Sequence, residues 1–222
     1  MHEEERLRHE LVEYGKKLLM NNLVVGAGGN ISAKHDNTFL ISPSGIGFDE
    51  MRPEDLVTVS CDDGQTIGCG RPSSEVAMHW YCYKQRPDIE AVVHAHPPTT
   101  VGVISGGGMI EPMFPEFVAY VGELAKVDFL TPCTNELADS VASALQRVDG
   151  VLMVAHGALT VGNSLKEAFM RMEIIEESAR ILVVSKMFGG PRVLTSEERR
   201  NIKQLDAEKY RAELLKSKKS TN

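Results

Sequence analysis

The run GVLMVAHGALTVG, residues 150–162, constrains the fold more than any other part of the chain. Its first seven residues are almost unbroken in apolar character, too short for a helix of ordinary length and bounded by glycines. That pattern suits a strand buried on both faces, which requires layers packed above and below a sheet. A second run, EAVVHAHPP at residues 90–98, has the same character. The apolar stretch of each run ends in histidine, His156 in the first and His96 in the second. Residues i and i+2 of a strand share a face, so His94 and His96 point the same way.

The remaining segments supply the covering layers. Residues from about 4 to 21 have a helical apolar stripe of Leu7, Leu11, Leu18 and Leu19. TFLIS (38–42) and LVTVS (56–60) read as strands, and CDDGQT (61–66) as a hairpin turn. Helices are expected over 73–85, in a short piece after the Pro97-Pro98 pair, and over 135–147; KVDFL (126–130) reads as a strand. A long helix over 164–186 carries Leu165, Phe169, Met172, Ile175, Ala179 and Leu182 at spacings of three and four. Ser164 with Glu167, and Thr195 with Glu198, have the spacing of capping boxes, the second ahead of a polar final helix.

The expectation is one α/β domain of the α+β type over residues 1–216. Its central sheet is mixed or mostly antiparallel, because several strand pairs look like hairpins, and helices flank both faces. Residues 217–222 continue a polar tail, KSKKSTN. The chain has 222 residues, enough for a substantial core. A net charge of −7 argues against broad nucleic-acid binding, which needs Lys and Arg to neutralise phosphates. No apolar stretch approaches the length of a membrane span, the first residues lack the apolar core of a signal peptide, and the four cysteines form no CxxC pair. These features fit a cytoplasmic protein with free thiols.

Two histidines do not make a metal site. His156 supplies a third imidazole, and three neutral imidazoles leave one position open on zinc, the pattern of a catalytic site. Taken alone, His156 fits a buried histidine bonded to a backbone carbonyl equally well. Ser73 and Ser74 stand at an expected helix start, followed by Glu75. As local structure they read as a cap; helix amides with two hydroxyls also bind phosphate, and Glu75 can reach a metal on the next strand. A carboxylate beside a dication can ligate it at rest and act as a base once displaced. The loops GAGGNISAKH (26–35) and SPSGIGFDE (42–50) match no nucleotide-binding fingerprint, but their small residues let backbone amides approach a phosphate.

Taken in order, GAGGNIS, ISPSGI, PSSE, VVHAHPP and HGALTVG resemble the class II aldolase/adducin family, and within it the L-fuculose-1-phosphate aldolases, from about residue 7 to 210. The resemblance implies a zinc-dependent aldolase that cleaves a ketose 1-phosphate, such as L-fuculose 1-phosphate or a related deoxy-ketose 1-phosphate, to dihydroxyacetone phosphate and an aldehyde such as L-lactaldehyde, through a metal-stabilised enediolate. It implies His94, His96 and His156 as zinc ligands, and Glu75 as resting ligand and acid/base. Gly29, Asn30, Ser44, Gly45, Ser73 and Ser74 would surround the phosphate. Tyr210 would stand near the leaving aldehyde, and the assembly would be a homotetramer with active sites between subunits. One position departs from the pattern: Glu116 stands where these aldolases usually carry a tyrosine. It reads either as part of a solvated turn or as a carboxylate at the aldehyde end of the substrate. Other zinc enzymes of this fold, a phosphosugar-acid decarboxylase or an L-ribulose-5-phosphate 4-epimerase, are the alternatives. The epimerases carry aspartate at the position of Glu75. A non-catalytic adducin-like module is the rival of a different class, and the presence of all three histidines and Glu75 argues against it.

Overall fold

The computed structural model describes residues 3–207, Tyr210 and Arg211. The expected tail at 217–222 lies outside these residues. Eight strands form one sheet: β1 (Asn30–His35), β2 (Thr38–Ile41), β3 (Val57–Ser60), β4 (Thr66–Ile67), β5 (Ala91–Ala95), β6 (Ala125–Val127), β7 (Gly150–Met153) and β8 (Gly157–Gly162). Their spatial order is β4-β3-β2-β1-β5-β8-β7-β6. Every neighbouring pair is antiparallel except β6 with β7, so the sheet is mixed and mostly antiparallel.

Alternation along the strands divides the core in two. On one face Ile31, Val93, Leu152 and Ala158 pack with helices α1 (Glu3–Met20), α3 (Pro98–Ser105) and α5 (Leu165–Lys186). On the other, Phe39, Val92, Val151 and Val161 pack with α2 (Val76–Gln85) and α4 (Asn135–Ala144). All five residues of β5 are buried, as its unbroken apolar character requires. The α5 stripe of Leu165, Phe169, Met172, Ile175, Ala179 and Leu182 is buried throughout. Each of its large side chains contributes roughly 1.5–3 kcal/mol relative to exposure. Helix α6 (Ser196–Gln204) begins with the reciprocal Thr195–Glu198 capping box.

Five expectations need correction. The strand expected over 150–156 stops at Met153, and a second strand, β8, begins at Gly157 after a tight turn that holds His156. Ala155 takes a left-handed φ of 54° in the turn between them. NISAKH, expected as part of a loop rich in small residues, is the central strand β1. The KVDFL strand stops at Val127, and helix α2 starts at Val76, with Glu75 at its N-cap rather than a serine. At α5 only half a capping box forms. Ser164 Oγ accepts from the Glu167 amide, while the Glu167 carboxylate accepts from the Asn163 amide and pairs with Arg171.

Candidate metal centre

Sheet register builds the site. Asn30 on β1 is the direct cross-strand partner of His94 on β5. On the other side of β5, Ala95 pairs with Ala158 of β8, which brings the β7–β8 turn and His156 against the end of β5. His96 follows the strand, its amide bonded to the Leu23 carbonyl at 3.0 Å. The chain then enters α3, whose first amides are capped from a distance. The buried Glu176 carboxylate accepts from the Thr100 amide and hydroxyl, both at 2.9 Å, and from the Thr99 amide at 3.2 Å. An acidic group at a helix N-terminus satisfies orphaned donors and the helix dipole. This anchor was not legible in the sequence, because Glu176 lies in a helix remote in the chain.

Three imidazoles and one carboxylate converge there. The ligand atoms of Glu75, His94, His96 and His156 all lie within 4.8 Å of one another. His94 Nε2 is 3.2 Å from Glu75 Oε2, and His156 Nε2 is 3.3 Å from Glu75 Oε1. The Nε2 atoms of His94 and His96 stand 3.0 Å apart. His94 Nδ1 lies 2.9 Å from the Ala158 carbonyl, which can only accept, so Nδ1 carries a proton. A neutral His94 therefore turns a bare Nε2 lone pair into the cluster. A proton on that nitrogen would make an imidazolium paired with Glu75, and a divalent cation in the same place takes over that role.

Electrostatics suit a cation. Burial, and then the neighbouring His94 and His156, lower His96 to about 4, which favours the neutral ligand form. Burial alone would raise the Glu75 carboxyl, but contacts with His156, His94 and Asn30 outweigh it and hold Glu75 well below the usual carboxylate range. Glu75 Oε1 is nonetheless buried without a hydrogen bond among the described residues. Buried polar atoms are ordinarily satisfied, so an orphaned carboxylate oxygen amid imidazole nitrogens marks a place for a cation. Three nitrogen donors with one oxygen donor fit a divalent metal of the zinc type.

The glycines around this cluster are set by space. A Cβ at Gly157 would strike the Ala95 carbonyl and come within 2.8 Å of His96 Cδ2 and 3.2 Å of His94 Cε1. Gly29 has a φ of +73°, and a Cβ there would lie 2.8 Å from the His94 carbonyl.

The loops expected to surround a phosphate meet through backbone hydrogen bonds. The Ser73 amide donates to the Ser42 carbonyl at 3.0 Å, and the Ser44 amide to the Arg71 carbonyl at 2.9 Å. Ser42 Oγ accepts from the Ile31 amide, next to Asn30, at 3.2 Å. These bonds hold the segments carrying Asn30, Ser44 and Ser73 together, and the Glu75 amide donates to Ser73 Oγ at 3.3 Å. Ser73 is buried, whereas Ser74 and Gly45 are exposed. The Asn30 side chain is buried too, and engages Glu75 and His79. Glu116 and Tyr210 stand apart: Glu116 is exposed ahead of a π-helical turn over Phe117–Val121, and Tyr210 is 62% exposed. Sequence reasoning passed over His79, which is fully buried behind Asn30. Its one signal was a histidine one turn after Glu75 on an expected helix.

Fold and ligand cluster together define a metal-dependent enzyme of the lyase type. The model of the class II aldolase and adducin N-terminal domain matches residues 9–183, and the chain belongs to this family. It is 35% identical over 198 residues to a 5-deoxy-D-ribulose 1-phosphate aldolase of Bacillus thuringiensis serovar kurstaki, covering 88% of this chain and 92% of the relative. It is 33% identical over 172 residues to an L-fuculose phosphate aldolase of Methanococcus vannielii, covering 78% of this chain and 93% of that one. Among solved structures, an L-fuculose 1-phosphate aldolase superposes with a TM-score of 0.82 at 33% identity, covering 93% of this chain and 96% of the other.

Proposed function

We propose that this protein is a zinc-dependent aldolase that cleaves a ketose 1-phosphate, L-fuculose 1-phosphate or a related deoxy-ketose 1-phosphate, to dihydroxyacetone phosphate and a small aldehyde such as L-lactaldehyde. The observation that carries the reading is the convergence of His94, His96, His156 and Glu75 with an orphaned oxygen on Glu75. The relatives at 33–35% identity act, by their names, on fuculose phosphate and on 5-deoxyribulose 1-phosphate, which supports a phosphorylated deoxy-ketose as substrate.

In this reading His94, His96 and His156 hold the metal, and Glu75 is its fourth ligand at rest. A bound divalent cation supplies Lewis acidity, drawing electron density from the substrate carbonyl and stabilising the charge that C–C cleavage leaves behind. Substrate displaces the Glu75 carboxylate, which then serves as acid/base. The freed Glu75 carboxylate takes up the C4 hydroxyl proton as the C3–C4 bond breaks and the aldehyde leaves, the bonding pair remaining on C3. Glu75 delivers a proton to C3, completing dihydroxyacetone phosphate. Gly29, Asn30, Ser44, Gly45, Ser73 and Ser74 grip the phosphate, so binding energy remote from the reacting bond orients it. Glu116 and Tyr210, exposed on the single chain, act at the aldehyde end in a homotetramer with sites between subunits. The exposed Val184, Met187 and Phe188 at the end of α5 support a subunit interface.

The test runs the reaction in the condensing direction. Zinc-loaded protein is incubated with dihydroxyacetone phosphate and L-lactaldehyde, glycolaldehyde, acetaldehyde or methylthioacetaldehyde, with Glu75→Gln as control. Ketose phosphate that forms with the wild type and disappears in the control is expected. No product with any aldehyde would overturn the aldolase reading and favour the decarboxylase or epimerase.

A further inference from the structure

A row of buried polar side chains runs inward from Glu75 through the core between β1 and α2. Asn30 Nδ2 lies 3.0 Å from Glu75 Oε2, and Asn30 Oδ1 lies 2.5 Å from His79 Nε2. His79 Nδ1 lies 2.6 Å from Ser32 Oγ, which is 2.7 Å from the Tyr83 hydroxyl. Asn30, Ser32, His79 and Tyr83 are each at most 4% exposed. Four polar side chains in a core cost more than apolar ones of similar volume unless every donor finds an acceptor.

Chemistry fixes the direction of each bond. An ionised carboxylate only accepts, so the Asn30 NH2 group faces Glu75 and its carbonyl faces His79. A carbonyl only accepts, so His79 carries its proton on Nε2. A neutral His79 then accepts on Nδ1, from the Ser32 hydroxyl. Ser32 Oγ, having donated, accepts from Tyr83. The result is a one-way line of donors: Tyr83 to Ser32, Ser32 to His79, His79 to Asn30, and Asn30 to the carboxylate. Burial keeps His79 in the neutral form, lowered to about 3, and raises Tyr83 well above its ordinary value, so each group holds the proton its place requires.

We infer that His79 is a positioning residue: it holds the Asn30 carboxamide in the one orientation that presents an N–H to Glu75 Oε2. This leaves Oε1, the oxygen without a hydrogen bond among the described residues, as the one free to engage the metal and substrate. A flipped Asn30 would set its carbonyl against the carboxylate, and the repulsion would push Glu75 off its place. The inference rests on the reading of Glu75 as resting ligand and acid/base, and adds what sets its geometry.

Two measurements test it. The first needs neither metal nor turnover. Long-range proton–nitrogen correlation on metal-free, 15N-histidine-labelled protein at pH 7 reads the ring tautomer, with the His79 signals assigned by their loss in His79→Gln. The expected result is His79 as the Nε2–H tautomer alone; an Nδ1–H tautomer would overturn the inference. The second compares His79→Leu, which removes the donor, with His79→Gln, whose side-chain amide can still donate to Asn30. In His79→Leu, kcat and zinc affinity are expected to fall by about 10–100-fold, with KM moving less than about threefold. His79→Gln should recover most of both. A folded His79→Leu with wild-type kcat and zinc affinity, or a His79→Gln that falls equally far, would overturn the inference. Where His79→Leu does not fold, the tautomer and the His79→Gln constants decide. The two readings fail separately: an active Glu75→Gln undoes the role of Glu75 and leaves the tautomer standing, whereas an Nδ1–H tautomer undoes the donor line and leaves the loss in Glu75→Gln intact.

Discussion

Gly157→Ala is one methyl group placed where β8 passes under two expected metal ligands. The added Cβ would meet the Ala95 carbonyl, lie 2.8 Å from His96 Cδ2 and lie 3.2 Å from His94 Cε1. Backbone cannot yield cheaply, because Ala95 pairs with Ala158 in the ladder joining β5 to β8. Overpacking of this kind costs about 1–3 kcal/mol. For a chain of this size that lowers Tm by roughly 2–12 °C. The His96 ring must also retreat by about 0.7 Å to restore an ordinary carbon contact. Metal–nitrogen bonds tolerate shifts of only about 0.2 Å, so zinc affinity should fall by at least about tenfold. Thermal melts and competition with a chromogenic chelator measure the two effects. Gly102→Ala is the matched control: Gly102 lies inside α3, and a Cβ there meets nothing within 4 Å among the described residues. That variant should keep zinc affinity and gain up to about 1 kcal/mol from helix propensity. A Gly157→Ala protein with the Tm and zinc affinity of the wild type would refute the reasoning.

Other expectations follow from the same geometry. The metal-free protein should lose stability on acidification. His79 is lowered from 6.5 to about 3 in the folded state, so between those values the unfolded chain binds the extra proton and stability falls as pH drops; the depressed Glu75 acts in the same direction at lower pH. At about 1.4 kcal/mol per pH unit, His79 alone accounts for about 2 kcal/mol between pH 6.5 and 5, and urea midpoints unchanged over that range would contradict it. If the sites form between subunits, light scattering should give four times the 24.4 kDa chain mass, and Phe188→Asp should reduce both that mass and the activity; an active monomer would contradict the tetramer. Glu116→Gln should change the ranking of aldehydes without changing zinc affinity, and an unchanged ranking would assign Glu116 to a solvated turn.

The parts legible in the sequence are those where one physical signal dominates. The α5 stripe, the α1 stripe and the doubly buried β5 follow from apolar periodicity alone, and the convergence of His94, His96, His156 and Glu75 follows from strand ends and a helix start. Strand β1 was illegible because its residues serve the site. Asn30 and Ser32 are buried polar groups satisfied by His79, Tyr83 and Glu75, and no local pattern reports so distant a partner. The β7–β8 turn was illegible because Ala155 takes a left-handed conformation usually filled by Gly or Asn, so the apolar run read as a strand through to His156. Helix α2 begins one turn later than its serines suggest: Ser73 Oγ accepts from the Glu75 amide ahead of it, and the Glu75 carboxylate at the N-cap position turns to the histidines, a tertiary contact that no local pattern reports. Glu116 and Tyr210 drew their expected roles from resemblance, and on the single chain both are exposed side chains.

The most direct test of the metal-dependent aldolase is a zinc titration of chelator-stripped protein, with aldol product and bound metal measured on the same samples. Activity is predicted to be absent in the stripped protein, to rise in proportion to zinc, and to reach its plateau at one zinc per chain. The double variant His94→Ala/His156→Ala should neither bind that zinc nor turn over. Full activity in the stripped protein, or a plateau reached by the double variant, would contradict the account.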